Sequence, residues 1–542
     1  MITEFSLFDL MRLMGNPEIS KGELLDFFAM YGCPPEAPEG DLLKIEVFPN
    51  RPDLLMIEGA ARALKGILGI ERGLRLYSPI PAGNSAKIDP LVRDVRPFVS
   101  FAIVRGVAMD DQTVASIMQI QEKLHQTHGR KRRKVAIGIH DFDKIKFPIT
   151  YTAVEPDSVS FIPLEMEFSL TCRKILERHP KGQEYAHLLE GKKLYPLIVD
   201  SSGQVLSMPP IINSRATRVT PATRNLLIDV TGTDEDAVQK ACTIIATGLA
   251  ERGAQIELVH SGDDVTPFLS PEKMKFSLSY ARKLLGAELP ADEIAGALER
   301  MRFGVGEIDS DTLEVSVPAY RTDILHQFDL VEDVAIGLGY PSFDPEIPAL
   351  PSIGREHPVI ARSNKAKDAM IGLGYQEVYT FAMTSAQKLF GKMNEPERPV
   401  AQVSNPKTEE FTLLRDELLP SLVAILELNK HNQYPQAIFE AGDVVVLDSE
   451  IDVNCRTERR LAAIFSGGTF ETVKGQIERL LKQLGISQVS FSPSEKATFL
   501  PGRQAEISSE GAVLGHIGEL HPQVLENHGI DQPSVGFEIA LE

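Results

Sequence analysis

Asp329, Glu332 and Asp333 stand at i, i+3 and i+4 in the run YRTDILHQFDLVED, Tyr320 to Asp333. On a helix this spacing puts three carboxylates on one face. Leu330, Val331, Val334, Ala335 and Leu338 then form the opposite, buried face. Asp323 lies a turn or two upstream, after Pro318, where it could cap the helix or fold back beside the other three. Carboxylates held this close repel one another, and a hard divalent cation such as Mg²⁺ relieves the repulsion through oxygen ligation. A solvated acidic helix face, its first-turn acids favoured by the helix dipole, fits the same spacing.

Other chemistry is sparse. The chain has no G-x-x-x-x-G-K-[ST] phosphate loop, no G-x-S-x-G and no H-E-x-x-H. Its 12 histidines form no spaced ligand set, and His516 and His521 read as surface or packing residues. Cys33, Cys172, Cys242 and Cys455 include no C-x2-C pair, so they read as small buried hydrophobes in a reducing compartment. The basic run GRKRRK, Gly129 to Lys134, is either a solvated loop or a contact for a phosphate backbone.

The elements that must position these groups alternate between helix and strand. Ser20-Lys-Gly-Glu23 reads as a capping box for ELLDFFAMYG, and Asp53 precedes an apolar 3-4 repeat that Gly69 stops. VAIGIHDFDKI and RNLLIDVTGTD read as strands running into turns, and LPADEIAGALERMRFG as a helix stopped by Gly304. MKFSLSY, AIFEAGDVVVL and AEISSEGAVLGHIG read as strands, and VKGQIERLLKQLG as a helix. Pro-rich stretches at 77–97, 261–273 and 341–358 mark boundaries, giving segments near 1–85, 86–265, 270–345 and 350–542. That agrees with 542 residues at about 150 per domain. Hydrophobic residues at 43% support large cores. A net charge of −20 argues against non-specific nucleic-acid binding by the whole surface, though not by a local patch. An acidic N-terminus and the lack of a long apolar run predict a soluble, cytoplasmic protein with no membrane span.

Several blocks, taken in order, carry a resemblance. They are FPNRPDLLMIEGAARALKG at 48–66, RKVAIGIHDFDKI at 133–145, MPPIINSRATRVTPATRNLLIDVTGTD at 208–234 and YRTDILHQFDLVEDVAIGLGY at 320–340. NPKTEEFTLLRDELLPSLV at 405–423, IFEAGDVV at 438–445 and GHIGELHPQVLENHGI at 515–530 complete them. The chain resembles the beta subunits of phenylalanyl-tRNA synthetases in their shorter archaeal and eukaryotic-cytosolic form. The resemblance implies a multidomain α+β fold: an N-terminal α/β domain, a tRNA editing domain over 86–265, a small winged-helix-like Mg²⁺-binding domain, and a silent copy of the class II synthetase antiparallel sheet. It also implies an (αβ)2 assembly with the alpha subunit that charges tRNA-Phe with phenylalanine, ATP being bound by alpha. The extra N-terminal and C-terminal modules of bacterial beta subunits are expected to be missing. In the last segment Ile438 stands where class II catalysis needs an α-phosphate-gripping Arg before Glu440, and the Gly-rich third motif is missing. This segment should bind alpha rather than ATP. The resemblance makes Asp323, Asp329, Glu332 and Asp333 Mg²⁺ ligands at the subunit boundary, with Asp333 where Glu is frequent.

An apolar pocket rejects an analogue that merely adds a hydroxyl by only about 10², so excluding tyrosine motivates a second, hydrolytic site. The resemblance puts it in the second segment. On RNLLIDVTGTD, Leu227, Asp229 and Thr231 point to one side, Ile228 and Val230 to the other. Asp229 and Thr231 are expected to bind a tyrosyl hydroxyl, Asn213, Ser214, Arg218 and Thr223 the ester and terminal adenosine, with Leu197 as an apolar wall. No Ser-His-Asp set is visible, so a positioned water is expected to attack. The same residues also fit a polar strand end with ST turns. An inactive structural subunit and a free-standing metallohydrolase are the competing readings.

Overall fold

Ser20 caps the helix Lys21–Met30, and its hydroxyl and Glu23 satisfy each other's backbone N–H groups, as the S-x-x-E spacing requires. The computed structural model describes residues 1–350 and 353–541; Pro351 and Ser352 of the third Pro-rich stretch lie outside the described residues. Two compact units result, Met1–Ile347 and Pro348–Glu542. The first unit therefore combines three of the expected segments around a shared core, in which Leu64, Ile228, Leu249 and Leu298 all take part.

The first unit is built on a mixed sheet. From one edge its strands are Ile212–Asn213, Val205–Met208, Tyr195–Val199, Ile149–Val154, Ile80–Ile88, Gln255–Ser261, Phe98–Arg105, Leu226–Gly232 and Val135–Asp141. Because Ile80–Ile88 lies inside this sheet, the boundary expected at 85/86 falls within a strand and must move upstream of residue 80. Helix Glu235–Ala250 packs on one face, where Ile228 and Val230 meet Val238, Ile245 and Leu249. Leu227 faces the other way, towards Phe101, Ile103 and Tyr151. The strand alternation predicted for RNLLIDVTG thus holds.

Residues 272–338 add a three-stranded antiparallel sheet (Glu272–Ser277, Thr312–Val317, Gly304–Glu307) and helices Leu278–Leu285, Ala291–Arg300 and Gln327–Leu338. Two local expectations are corrected. The second of these helices ends at Arg300, with Arg302 at φ 72°, and Gly304 opens a strand. In MKFSLSY only the part up to Ser277 is strand; Leu278 starts a helix.

The second unit is a seven-stranded sheet, antiparallel except for the short strand Gln376–Glu377 at one edge. Helices Pro358–Gly372 and Phe470–Gln483 cover one face, packing on Phe439, Ala463 and Phe537. Helix Leu419–Asn429 lies on the other, its Leu419, Leu422 and Val423 against Ile438, Ala462 and Ile464. Glu440 is fully buried and accepts from Arg415 at 2.8 Å and from Thr380. Among the described residues no helix is long and apolar enough to cross a membrane. Cys33, Cys172 and Cys242 are buried, Cys455 is half-buried, and all four are free.

Candidate functional site

Asp229 sits in the middle of strand Leu226–Gly232, beside Gly138 of the edge strand Val135–Asp141. Its Oδ2 meets Nε2 of His140 at 2.6 Å, and Nδ1 of His140 meets Thr217 Oγ1 at 2.8 Å. With Asp229 Oδ2 accepting from the His140 Nε2–H, Nδ1 is left to accept from the Thr217 hydroxyl. The three side chains are buried and form one fixed chain. A Cβ at 138 would overlap Asp229 Oδ2, so any larger residue there must displace the aspartate. Asp229 Oδ1 has no hydrogen bond among the described residues.

Asp229, Thr217 and Thr231 line a cavity of about 460 Å³, within the range of small-molecule sites. Asn213, Ser214, Arg218 and Val219 form one wall, from the segment that follows the strand Val205–Met208. Helix Asp111–Gln126 supplies Met118, Gln121, Glu122 and His125 to another. Thr231 is held by buried Arg96, whose Nε donates to Oγ1 at 2.9 Å and whose Nη2 donates to the carbonyl at 2.7 Å. The Thr231 hydroxyl proton thus remains free for another acceptor. Burial pulls the Arg96 guanidinium down to about 10. His125 accepts from the Ile137 N–H at 2.8 Å and approaches Glu122 at 3.5 Å. Burial, opposed by the bond to Glu122, lowers it to about 4, so it is neutral at pH 7.

Five of the seven expected pocket residues therefore line one cavity: Asn213, Ser214, Arg218, Asp229 and Thr231. Two do not. Leu197 is fully buried in a core with Phe161, Tyr195, Met208 and Ile211, a layer behind the wall. Thr223 donates to Asp141 at 3.0 Å and accepts from the Thr220 N–H, tying a turn. His140, Thr217, Gly138 and Arg96 are neighbours of Asp229 and Thr231 that the sequence reading missed. His140 alternates with Gly138 on its strand, but its partner Asp229 is 89 residues away.

The acidic helix is organised differently. Asp329 Oδ2 accepts the N–H groups of Leu325 and His326, both at 2.8 Å, and closes a capping box. Asp333 is corrected from the open face to the interior: it is 3% exposed and takes both terminal nitrogens of Arg321, at 3.2 and 2.7 Å. Asp323 takes Nε and Nη2 of the same arginine, each at 2.8 Å. The cation that relieves this pair is thus Arg321, and among the described residues no three His, Cys, Asp or Glu side chains converge to hold a metal. Burial raises the Asp323 carboxyl, yet the Arg321 charge holds it below its ordinary value. Glu332 has no hydrogen bond or ion pair among the described residues. Partial burial and then the charges of Asp333 and Asp323 raise it above its ordinary value.

Two matches give the class of protein. Residues 274–340 match the tRNA synthetase B5 domain, and residues 344–541 match the phenylalanyl tRNA synthetase beta chain CLM domain. The phenylalanine–tRNA ligase beta subunit of Archaeoglobus fulgidus is 43% identical over an alignment 542 positions long that covers 98% of this chain and 96% of that protein. That of Pyrococcus furiosus is 43% identical over 500 residues, 91% of this chain and 90% of that one. A crystal structure of an N-terminal fragment of the phenylalanyl-tRNA synthetase beta subunit from Pyrococcus horikoshii superposes with a TM-score of 0.60 at 42% identity. It covers 63% of this chain and all of the fragment. The chain belongs to the family of phenylalanine–tRNA ligase beta subunits.

Proposed function

We propose that this chain, joined to an alpha subunit in an (αβ)2 assembly in the cytoplasm, takes part in ATP-driven attachment of phenylalanine to tRNA-Phe. We further propose that its own cavity hydrolyses tyrosine wrongly attached to that tRNA. Family membership supports the first part. For the second the carrying observation is Asp229, a buried carboxylate with one oxygen fixed by His140 and the other unpartnered at the wall of a 460 Å³ cavity. That oxygen accepts the phenolic O–H of a tyrosyl group. A phenylalanyl group offers no proton there, and its ring would leave the carboxylate desolvated and unpaired, an unfavourable exchange of roughly 1–3 kcal/mol.

His140 acts as a positioning residue, since both its nitrogens are engaged and its side chain is fully enclosed. Thr217 and Thr231 present hydroxyls to the cavity, and we assign them to holding the attacking water and the ester carbonyl. The exposed Arg218 suits the phosphate of the terminal nucleotide.

The second unit is read as a partner-binding copy of a synthetase sheet. Helix Leu419–Asn429 packs on the face that carries Ile438, and Arg415 is committed to Glu440. Phosphate charge developing there would find no free cation from either residue, and the aminoacylation site and ATP are assigned to alpha. The carboxylates fit Mg²⁺ only in part. Glu332 is free to ligate, whereas Asp323, Asp329 and Asp333 would each give up hydrogen bonds. A cation here would take Glu332 first and complete its oxygen shell from groups beyond this chain. Bound Mg²⁺ would supply charge neutralisation at a subunit edge.

The test is hydrolysis of preformed Tyr-tRNA-Phe by the reconstituted holoenzyme carrying Asp229→Ala. Loss of a charged hydrogen bond, roughly 1.5–3 kcal/mol, predicts deacylation about ten- to a hundredfold slower, with phenylalanine charging retained. Equal rates in two folded proteins, verified by thermal melting, would remove Asp229 from the pocket.

A further inference from the structure

The run Gly129–Lys134 carries five basic residues in a chain of net charge −20. Arg130, Lys131 and Arg132 follow one another at φ 48°, 54° and 64°. Left-handed backbone costs an L-residue roughly 1–2 kcal/mol, and three in succession persist only where the surroundings over-determine them. Here they do. The Arg133 N–H donates to the Arg130 carbonyl at 3.3 Å, and the Arg132 N–H to the His125 carbonyl at 3.1 Å.

Two buried arginines fix this turn to the cavity wall. Arg132 points inward, donating to the carbonyls of Pro210 and Ile211 at 3.3 and 2.8 Å, with its guanidinium 4.4 Å from the Tyr185 ring centre. Arg96, which holds Thr231, also donates to the Arg133 carbonyl at 3.2 Å. Pro210, Ile211, Arg132 and Thr231 all line the cavity. With Arg132 turned in, Arg130, Lys131 and Arg133 are exposed. None of the three has a carboxylate partner among the described residues, whereas Lys134 pairs with Asp234 at 3.2 Å.

We propose that this left-handed turn is a phosphate grip for the RNA strand whose 3′ end enters the cavity; the inference rests on the reading of the cavity as a site for an aminoacyl-tRNA ester. A polyanion approaching an acidic protein needs local cations, and each one that neutralises a phosphate releases a condensed counterion. Cations on a preset backbone lose less entropy on binding than those on a loose loop. Hydrogen bonds from Arg96 and Arg132 connect the grip to the wall carrying Thr231, so a held strand would present its terminal ester at a fixed place.

The experiment uses the αβ holoenzyme and a tRNA-Phe acceptor-stem minihelix with its single-stranded 3′ end, bound across a salt series. Arg130→Gln/Lys131→Gln/Arg133→Gln is expected to weaken binding about ten- to a hundredfold. It should also make the slope of log K against log salt shallower by about 2, from three contacts at about 0.7 each. Arg130→Lys/Arg133→Lys should keep both. Unchanged affinity and slope in the triple variant overturn the proposal. Should that variant fail to fold by circular dichroism, Lys131→Gln alone decides, with an expected slope change of about 0.7. Hydrolysis of tyrosyl-minihelix by the unaltered holoenzyme is scored separately. Lost binding in the triple variant without any hydrolysis supports the grip and removes the hydrolytic reading; hydrolysis with equal binding does the reverse.

Discussion

Asp333, 3% exposed, and Asp229, 2% exposed, are equally buried, but their partners differ in kind. Asp333 faces a guanidinium that also holds Asp323, so all four oxygens of the two carboxylates are engaged by Arg321. Asp229 faces an imidazole through one oxygen and a cavity on its other side. A full-charge partner with bidentate geometry closes a site. A single hydrogen-bonding partner positions a carboxylate and leaves it capacity for a ligand. Three of the four acidic side chains near that helix are therefore committed to partners within the chain, and the single aspartate on a strand keeps an oxygen free at a cavity wall.

The largest effect should come from removing the partner that closes the acidic pair. Arg321→Ala leaves the buried Asp333 and the half-buried Asp323 unpaired and removes a cation lying 5.0 Å from the Phe303 ring centre, so we expect a loss of about 3–5 kcal/mol in thermal unfolding. Adding Asp323→Asn and Asp333→Asn should return part of it. Mg²⁺ that raises the melting temperature of Arg321→Ala but not of the parent would mean that the freed carboxylates accept a divalent ion. No recovery by either route would make the pair less important than its geometry implies.

The cavity side is probed by pH. His125 holds its proton with a value of about 4 when folded against 6.5 ordinarily. The unfolded chain then binds more protons between these values, so stability is lost as pH falls from about 6.5 to about 4, by about 3 kcal/mol for this group. Denaturant unfolding at a series of pH values should show a shallower acid loss in His125→Gln. Parallel curves would show that His125 is solvated and that this wall is open.

A smaller effect is expected at Gly138, where a methyl group would press on the Asp229 carboxylate. Gly138→Ala should cost about 1–3 kcal/mol and separate Asp229 from His140, so Tyr-tRNA-Phe hydrolysis should fall with stability. Normal hydrolysis would mean that the His140 bond is dispensable and that only the aspartate matters.

The two sites also differ in how much of each was legible in the sequence. The capping box at Ser20–Glu23 and the alternation of RNLLIDVTG are local patterns, and both appear as read. The acidic cluster was legible as spacing, but the ion pairs that Arg321, two residues before Asp323, makes with Asp323 and Asp333 were not. The cavity is assembled from residues near 120, 138, 212 and 229, so its lining could be named only by family resemblance. Leu197 and Thr223 show the limit of that route: each is close in sequence or sheet position, but one lies in a core layer and one in a turn. His140 lies in the stretch RKVAIGIHDFDKI, and nothing local ties it to Asp229.

The smallest expected change is at Glu332, and it bears most directly on whether the acidic helix keeps any ligand capacity. Its carboxyl is raised by partial burial and by Asp333 and Asp323, so the folded state binds this proton more tightly than the unfolded chain. Ionised Glu332 therefore costs stability at neutral pH, a cost relieved as pH falls through its folded value. The side chain is largely exposed, so solvent screening limits the cost to at most a few tenths of a kcal/mol. Glu332→Gln should stabilise the Mg²⁺-free protein by about that amount. If the carboxylate ligates a cation shared with the partner subunit, the same variant should abolish the Mg²⁺-dependent part of αβ association, measured by sedimentation across a Mg²⁺ titration. The two effects have opposite signs, so one variant separates an acidic face from a metal ligand. A gain in stability with an unchanged Mg²⁺ response would leave Arg321 as the cation that this cluster was built around.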